Sequence, residues 1–96
     1  MDKNKILEQI SSKNQILKDR YHVKTIGIFG SFVRGEETEN SDVDILVDLE
    51  LPIGFFEFIR LENDLSKMLG KKVDLVTKKS IKPAVKEDIL KEVVYV

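Results

Sequence analysis

Cysteine is absent from all 96 residues, and with it go disulfides, thiol nucleophiles and thiolate-ligated zinc. Only one histidine is present, His22, so no set of imidazoles is available to hold a metal either. Any metal chemistry in this chain has to run on carboxylates. No uncharged stretch approaches the roughly 18 apolar residues of a membrane-spanning helix. Excess charge of either sign is also missing. Sixteen basic and seventeen acidic side chains give a formal net charge of −1, which excludes a polybasic nucleic-acid binder working by bulk electrostatics. Met1-Asp2-Lys3-Asn4-Lys5 leads into an amphipathic pattern rather than a signal-peptide core, so a cytoplasmic location is expected. What remains is 42% hydrophobic and 34% charged, the composition of a folded globular protein. With no repeat and no Pro/Gly-rich linker, residues 1–96 are expected to form one domain.

Apolar spacing divides the chain into alternating elements. Ile6, Leu7, Ile10 and Leu17 predict a first helix over residues 4–20, with Asn4 as its cap. Lys24–Phe29 reads as a strand closed by Gly30, and Ser31–Arg34 as a single helical turn. The polar stretch 35–41 is a loop. A second strand is expected over Asp42–Leu49, with Val43, Ile45 and Val47 on one face and Asp42, Asp44, Leu46 and Asp48 on the other. Phe55–Leu69 is the next helix, its apolar stripe being Phe55, Phe58, Ile59, Leu65 and Leu69, with Gly70 as its C-terminal cap. A strand over Lys72–Thr77, a helix over Ser80–Lys91 with Pro83 in its first turn, and a β-prone Val93–Val96 complete the chain. The fold class is α/β (α+β): a small mixed sheet of three to four strands backed by helices.

Three carboxylates carry the chemistry. Asp42 and Asp44 lie two residues apart on one strand and project from the same face; Asp74 lies on the next strand. Unpaired carboxylates at that spacing repel, and burial beside a sheet raises the cost. A divalent cation relieves the conflict, and an all-oxygen donor set suits Mg²⁺ or Mn²⁺. If Asp74 sits on an adjacent strand in register, the three acids complete a site for two metals roughly 3.5–4 Å apart, the spacing used for in-line displacement at phosphorus. Upstream, Gly30-Ser31 joins a strand to a helical turn. Glycine permits close approach, while the serine hydroxyl and free N–H groups offer a grip for phosphate oxygens. That grip lacks the lysine of a P-loop. A phosphate grip beside paired acids points to phosphoryl or nucleotidyl transfer.

These residues resemble a known family. Gly30-Ser31, ten intervening residues and then Asp42-Val43-Asp44 match the G-S-x10-D-x-D signature of the DNA polymerase β-like nucleotidyltransferases. The fuller strings, residues 30–36 and 41–47, are similar to the minimal nucleotidyltransferase (MNT) branch, which supplies the antitoxin in HEPN/MNT toxin–antitoxin pairs. The resemblance implies a nucleotidyltransferase fold in which Asp42, Asp44 and Asp74 are the catalytic metal ligands for two Mg²⁺ ions. It further implies that Asp74 takes the acceptor proton and that Gly30 and Ser31 hold the β- and γ-phosphates of ATP. The implied activity is transfer of AMP to a tyrosine of a HEPN toxin, in an assembly with that toxin. Arg34 stays open between a phosphate contact and a pair with Glu36 or Glu37.

Other readings compete. A binding-only antitoxin that sequesters its toxin would not require converging acids. A small-molecule transferase acting on antibiotics would need a further domain to hold its acceptor. Asp48 lies too far along its strand, about 13 Å from Asp44, to join the site. His22 is expected to be solvated or half-buried after the first helix, and Phe55, Phe56 and Phe58 to belong to the core rather than to a base-stacking platform.

Overall fold

Alternation of side chains in three strands decides the architecture, because one face of each strand is apolar and in two of them the other bears acids. The computed structural model describes residues 1–96. Its elements are α1 (Lys3–Ser12), α2 (Asn14–Tyr21), β1 (Val23–Phe29), α3 (Ser31–Arg34), β2 (Val43–Leu49), α4 (Phe55–Leu69), β3 (Val73–Thr77), a 3₁₀ turn (Lys78–Ser80), α5 (Pro83–Glu92) and β4 (Val94–Tyr95). Four strands form one mixed sheet in the order β3-β2-β1-β4. β1 pairs antiparallel with β2 and with β4, whereas β2 and β3 run parallel. The expected mixed sheet of three to four strands is therefore present.

On the apolar face, Val23, Ile26 and Ile28 of β1, Val43, Ile45 and Val47 of β2, and Val73 and Leu75 of β3 are buried in one core. Ile6 and Ile10 of α1, Leu17 and Tyr21 of α2, Phe32 of α3, and Leu61, Leu65 and Leu69 of α4 complete it. Each such side chain removed from water contributes about 1.5–3 kcal/mol, so the helical layer is held chiefly by this face. Leu46 is buried on the opposite face, outside that cluster.

Several local expectations need correction. The helix expected over 4–20 is two helices, divided at Lys13, whose φ of −109° and ψ of 10° interrupt the helical geometry. The break falls within Ser11-Ser12-Lys13-Asn14, where serine and asparagine compete for backbone hydrogen bonds. Breaking there also lets Tyr21 reach the core, where its hydroxyl donates to Asp64. The cap of α1 is Asp2 rather than Asn4; its carboxylate accepts from the Lys5 N–H at 2.9 Å. Pro83 starts α5 instead of lying inside a helix begun at Ser80, because proline drives the preceding residue, Lys82, to extended backbone (φ −65°, ψ 136°).

Helix α4 has the expected bounds and the expected left-handed Gly70 cap, and Leu65 and Leu69 of the expected stripe are buried, but its first residue is not. Leu61, Leu65 and Leu69 face the sheet, whereas Phe55 and Phe56 remain 73% and 83% exposed. Phe58, in the same first turn, is half-buried against the core as expected, and Phe55 lines a cavity with Val47 of β2 and Leu75 of β3. His22 is exposed, as expected, and closes α2 with a left-handed backbone (φ 59°). No helix is long and apolar enough to cross a membrane.

Candidate active site

Two adjacent strands bring the acids together. In the parallel β2–β3 ladder Asp44 lies directly opposite Asp74, so both side chains leave the same face of the sheet. Asp42 precedes β2, and the two-residue period carries it toward that face. Its carboxylate lies 3.9 Å from Lys72 Nζ. Asp42 and Asp44 are half-buried and Asp74 is exposed. Asp48 is further along β2, opposite Thr25, and takes no part.

The position of Asp74 is fixed from behind. Ser66 Oγ accepts from the Val73 N–H at 3.0 Å, and Glu62 Oε2 accepts from the Leu75 N–H at 3.0 Å. Both acceptors belong to α4, so the residues flanking Asp74 are tied to the helix on one side while β2 holds the strand on the other. Such ties satisfy edge N–H groups that water would otherwise have to solvate.

Electrostatics make Asp44 the strained member. Its carboxyl is pushed up from the ordinary 3.8 to about 6, first by burial and then by repulsion from Asp74 and Asp42; Glu92 adds to the repulsion and Arg34 opposes it. A half-buried acid that resists ionisation beside two others is what a cation stabilises. The donor set, all carboxylate oxygen, fits a hard divalent ion. As arranged, however, no three acidic side chains close into a cage of metal-ligand dimensions. The protein supplies an open face of donors that substrate and water oxygens would complete.

Gly30 forms the opposite wall. Its φ of +82° disfavours any L side chain, and a Cβ placed there would lie 3.0 Å from Cγ of Asp44 and 3.3 Å from its Cβ. Glycine at this position is thus required by the Asp44 carboxylate itself. After it, Ser31 opens α3, and the Gly30 carbonyl accepts from the N–H groups of Val33 (3.0 Å) and Arg34 (3.1 Å). Arg34 donates to Glu36 at 2.9 Å and, through Nη1, to both carboxylate oxygens of Glu92 at 2.9 and 3.1 Å. Those contacts hold its guanidinium firmly charged, the bond to Glu36 contributing most. Glu36 is one of the two partners expected for Arg34. Glu92 was not foreseen: 62 residues separate it from Gly30, whose N–H also donates to its carboxylate, and nothing in its local sequence marks it.

Comparison with known proteins decides the family. Residues 6–96 match the nucleotidyltransferase domain family. The chain belongs to that family. This nucleotidyltransferase is 49% identical over 94 residues to the protein adenylyltransferase MntA of Thermococcus cleftensis, covering 94% of this chain and 95% of the relative. A Methanocaldococcus jannaschii protein, named as a candidate protein adenylyltransferase, is 48% identical over 94 residues, with 97% and 96% covered. Among solved structures, one described as a candidate minimal nucleotidyltransferase superposes with a TM-score of 0.82 at 30% identity, over 98% of this chain and 95% of the other. More distant neighbours share the fold. One is a toxin–antitoxin complex with AMP-PNP (TM-score 0.73, 23% identity, 99% and 72% covered). Another is a complex of MNT antitoxin with a tri-AMPylated Shewanella oneidensis HEPN toxin (TM-score 0.63, 22% identity, 91% and 70% covered).

Proposed function

We propose that residues 1–96 form one minimal nucleotidyltransferase domain that transfers AMP from ATP to a tyrosine hydroxyl of a HEPN toxin and so serves as its antitoxin. The observation that carries this reading is the register of Asp44 against Asp74, with Asp42 two residues upstream and the Gly30 turn packed on Asp44. Relatives at 48–49% identity are named for protein adenylylation, which favours a protein acceptor over a small antibiotic.

The roles follow from placement. Gly30 and Ser31 grip the β- and γ-phosphates, with Arg34 beside them, and so point the α-phosphorus toward the acids. Asp42, Asp44 and Asp74 are the residues that would hold Mg²⁺, as a pair of ions, or Mn²⁺ in its place. The chemistry a bound cation supplies is neutralisation of charge on the α-phosphate and on the departing pyrophosphate. Asp74, the most exposed of the three acids, faces the acceptor and takes the proton as the tyrosine oxygen bonds to the α-phosphorus. The α–β bridging bond breaks as that bond forms, and pyrophosphate leaves. An open site is poor at excluding water and orienting a nucleophile, so the toxin supplies the missing wall together with the hydroxyl.

Intact-mass spectrometry of the cognate HEPN protein, incubated with this protein, ATP and Mg²⁺, tests the proposal. Increments of one AMP are expected, with none from the Asp42→Asn, Asp44→Asn double variant. Tight binding with no change in toxin mass would instead make the protein a sequestering antitoxin. Efficient adenylylation of an aminoglycoside without any partner would overturn both readings.

A further inference from the structure

Glu92, the last residue of α5, is the only side chain of that helix hydrogen-bonded outside it, and both of its donors belong to the proposed phosphate grip. Its carboxylate takes the Gly30 N–H and is bound through both oxygens by Arg34 Nη1. The rest of α5 is weakly held: none of its side chains is buried. An acid has thus been placed where its charge acts on Asp44, retained there by an amide and a guanidinium that favour any anion. A triphosphate carries several charges against the single charge of a carboxylate, and Coulomb attraction to the same donors favours it accordingly.

We propose that Glu92 is a displaceable placeholder for the nucleotide's phosphates: it occupies the Gly30 and Arg34 donors in the free protein, and ATP must expel it to bind. The inference rests on the reading of Gly30 and Arg34 as phosphate ligands. Glu92 then acts through those two groups as an affinity-setting residue and has no part in the chemical step. Its departure also releases the end of α5, immediately before Val94 and Tyr95 join β1. Nucleotide binding is thereby coupled to the only polar tie between α5 and the rest of the chain. When the closed form dominates the free protein, apparent affinity falls by the fraction that is open.

Titration calorimetry of the full chain with AMP-PNP and Mg²⁺, on wild type, Glu92→Ala, Glu92→Gln and Arg34→Ala, decides the matter. The Kd of Glu92→Ala is expected to be about five- to tenfold lower than that of wild type. Glu92→Gln, which keeps the size of the side chain but loses its charge, should fall between them. The melting temperature of both Glu92 variants without nucleotide should drop, because α5 loses its tie. A fixed structural pin would give the same drop in melting temperature with Kd unchanged or raised, and that result overturns the placeholder. If the Glu92 variants bind like wild type while Arg34→Ala binds more weakly, the placeholder fails and the phosphate grip stands. If Arg34→Ala binds as tightly as wild type, Arg34 is no phosphate ligand and both fall.

Discussion

Asp44 and Asp74 stand directly opposite each other in a parallel ladder, two acids with no basic side chain between them in the strand pairing. Their repulsion is tolerated because neighbouring elements fix both backbones, and its relief is the reason to expect a cation. Removing charge should therefore stabilise the protein without metal. Asp44→Asn is expected to raise the melting temperature in the presence of a chelator, and the Asp42→Asn, Asp44→Asn pair to raise it further while abolishing AMP transfer. Scanning calorimetry with and without Mg²⁺ and ATP measures this. An equal nucleotide-induced shift in the double variant and wild type would sink the metal assignment.

A pH dependence follows from the same pair. The Asp44 carboxyl is raised to about 6 in the folded protein, above its ordinary value, so folding favours its protonated form. The stability it contributes is fully present below about pH 4 and is lost as pH rises through about 6. The gain in melting temperature from Asp44→Asn should accordingly be larger at about pH 8 than at about pH 4.5. AMP transfer should decline on acidification below about 6, and the midpoint should move lower as Mg²⁺ is raised, since metal and proton compete for one carboxylate. A gain independent of pH would contradict the burial and repulsion argument.

Gly30 offers the sharpest single substitution. Gly30→Ala meets both a left-handed backbone and the Asp44 carboxylate, and should cost about 1–3 kcal/mol of stability. Nucleotide binding should be lost with it, whereas Gly54→Ala, where a Cβ meets nothing within 4 Å, serves as the control. Chemical denaturation and an AMP-PNP titration of both variants provide the check.

Ser31→Ala should be milder. Losing one hydroxyl hydrogen bond to phosphate is expected to weaken AMP-PNP binding by about 1–2 kcal/mol, roughly five- to thirtyfold, with the fold unchanged. Binding equal to wild type would remove Ser31 from the grip.

The side chains behind Asp74 give a test of positioning. Ser66→Ala and Glu62→Gln should each lower stability by about 1 kcal/mol. If they set the place of Asp74, kcat for AMP transfer should fall more than KM for ATP rises. A change in melting temperature alone, with kcat intact, would assign them to stability only.

Much of this arrangement is legible in the sequence because it depends on short-range periodicity. The two-residue spacing of Asp42 and Asp44 fixes a shared face whatever the sheet around it. Gly70 likewise ends α4 by a rule that acts within one turn. What was hidden depends on contacts distant in sequence. Phe55 fits the apolar stripe and Phe56 was expected in the core beside it, yet both stay exposed, because burial depends on what packs over the start of α4. Asp74 is named a candidate by the sequence, but its place directly opposite Asp44 depends on the β2–β3 register, which a strand pattern leaves unspecified. Glu92 had no signal at all, since its partners, Gly30 and Arg34, lie 62 and 58 residues earlier in the chain.

The two ties from α4 to β3 have an effect beyond the site. β3 is an outer strand of the sheet, and its outward N–H groups at Val73 and Leu75 are already taken by Ser66 and Glu62. An extended segment approaching this border would have to strip both side chains away before it could pair. At the other border, β4 offers only Val94 and Tyr95. The sheet is therefore blunted against growth by strand addition on either side, which guards a small domain against stacking into fibres. A protein partner is left to engage its helices and loops.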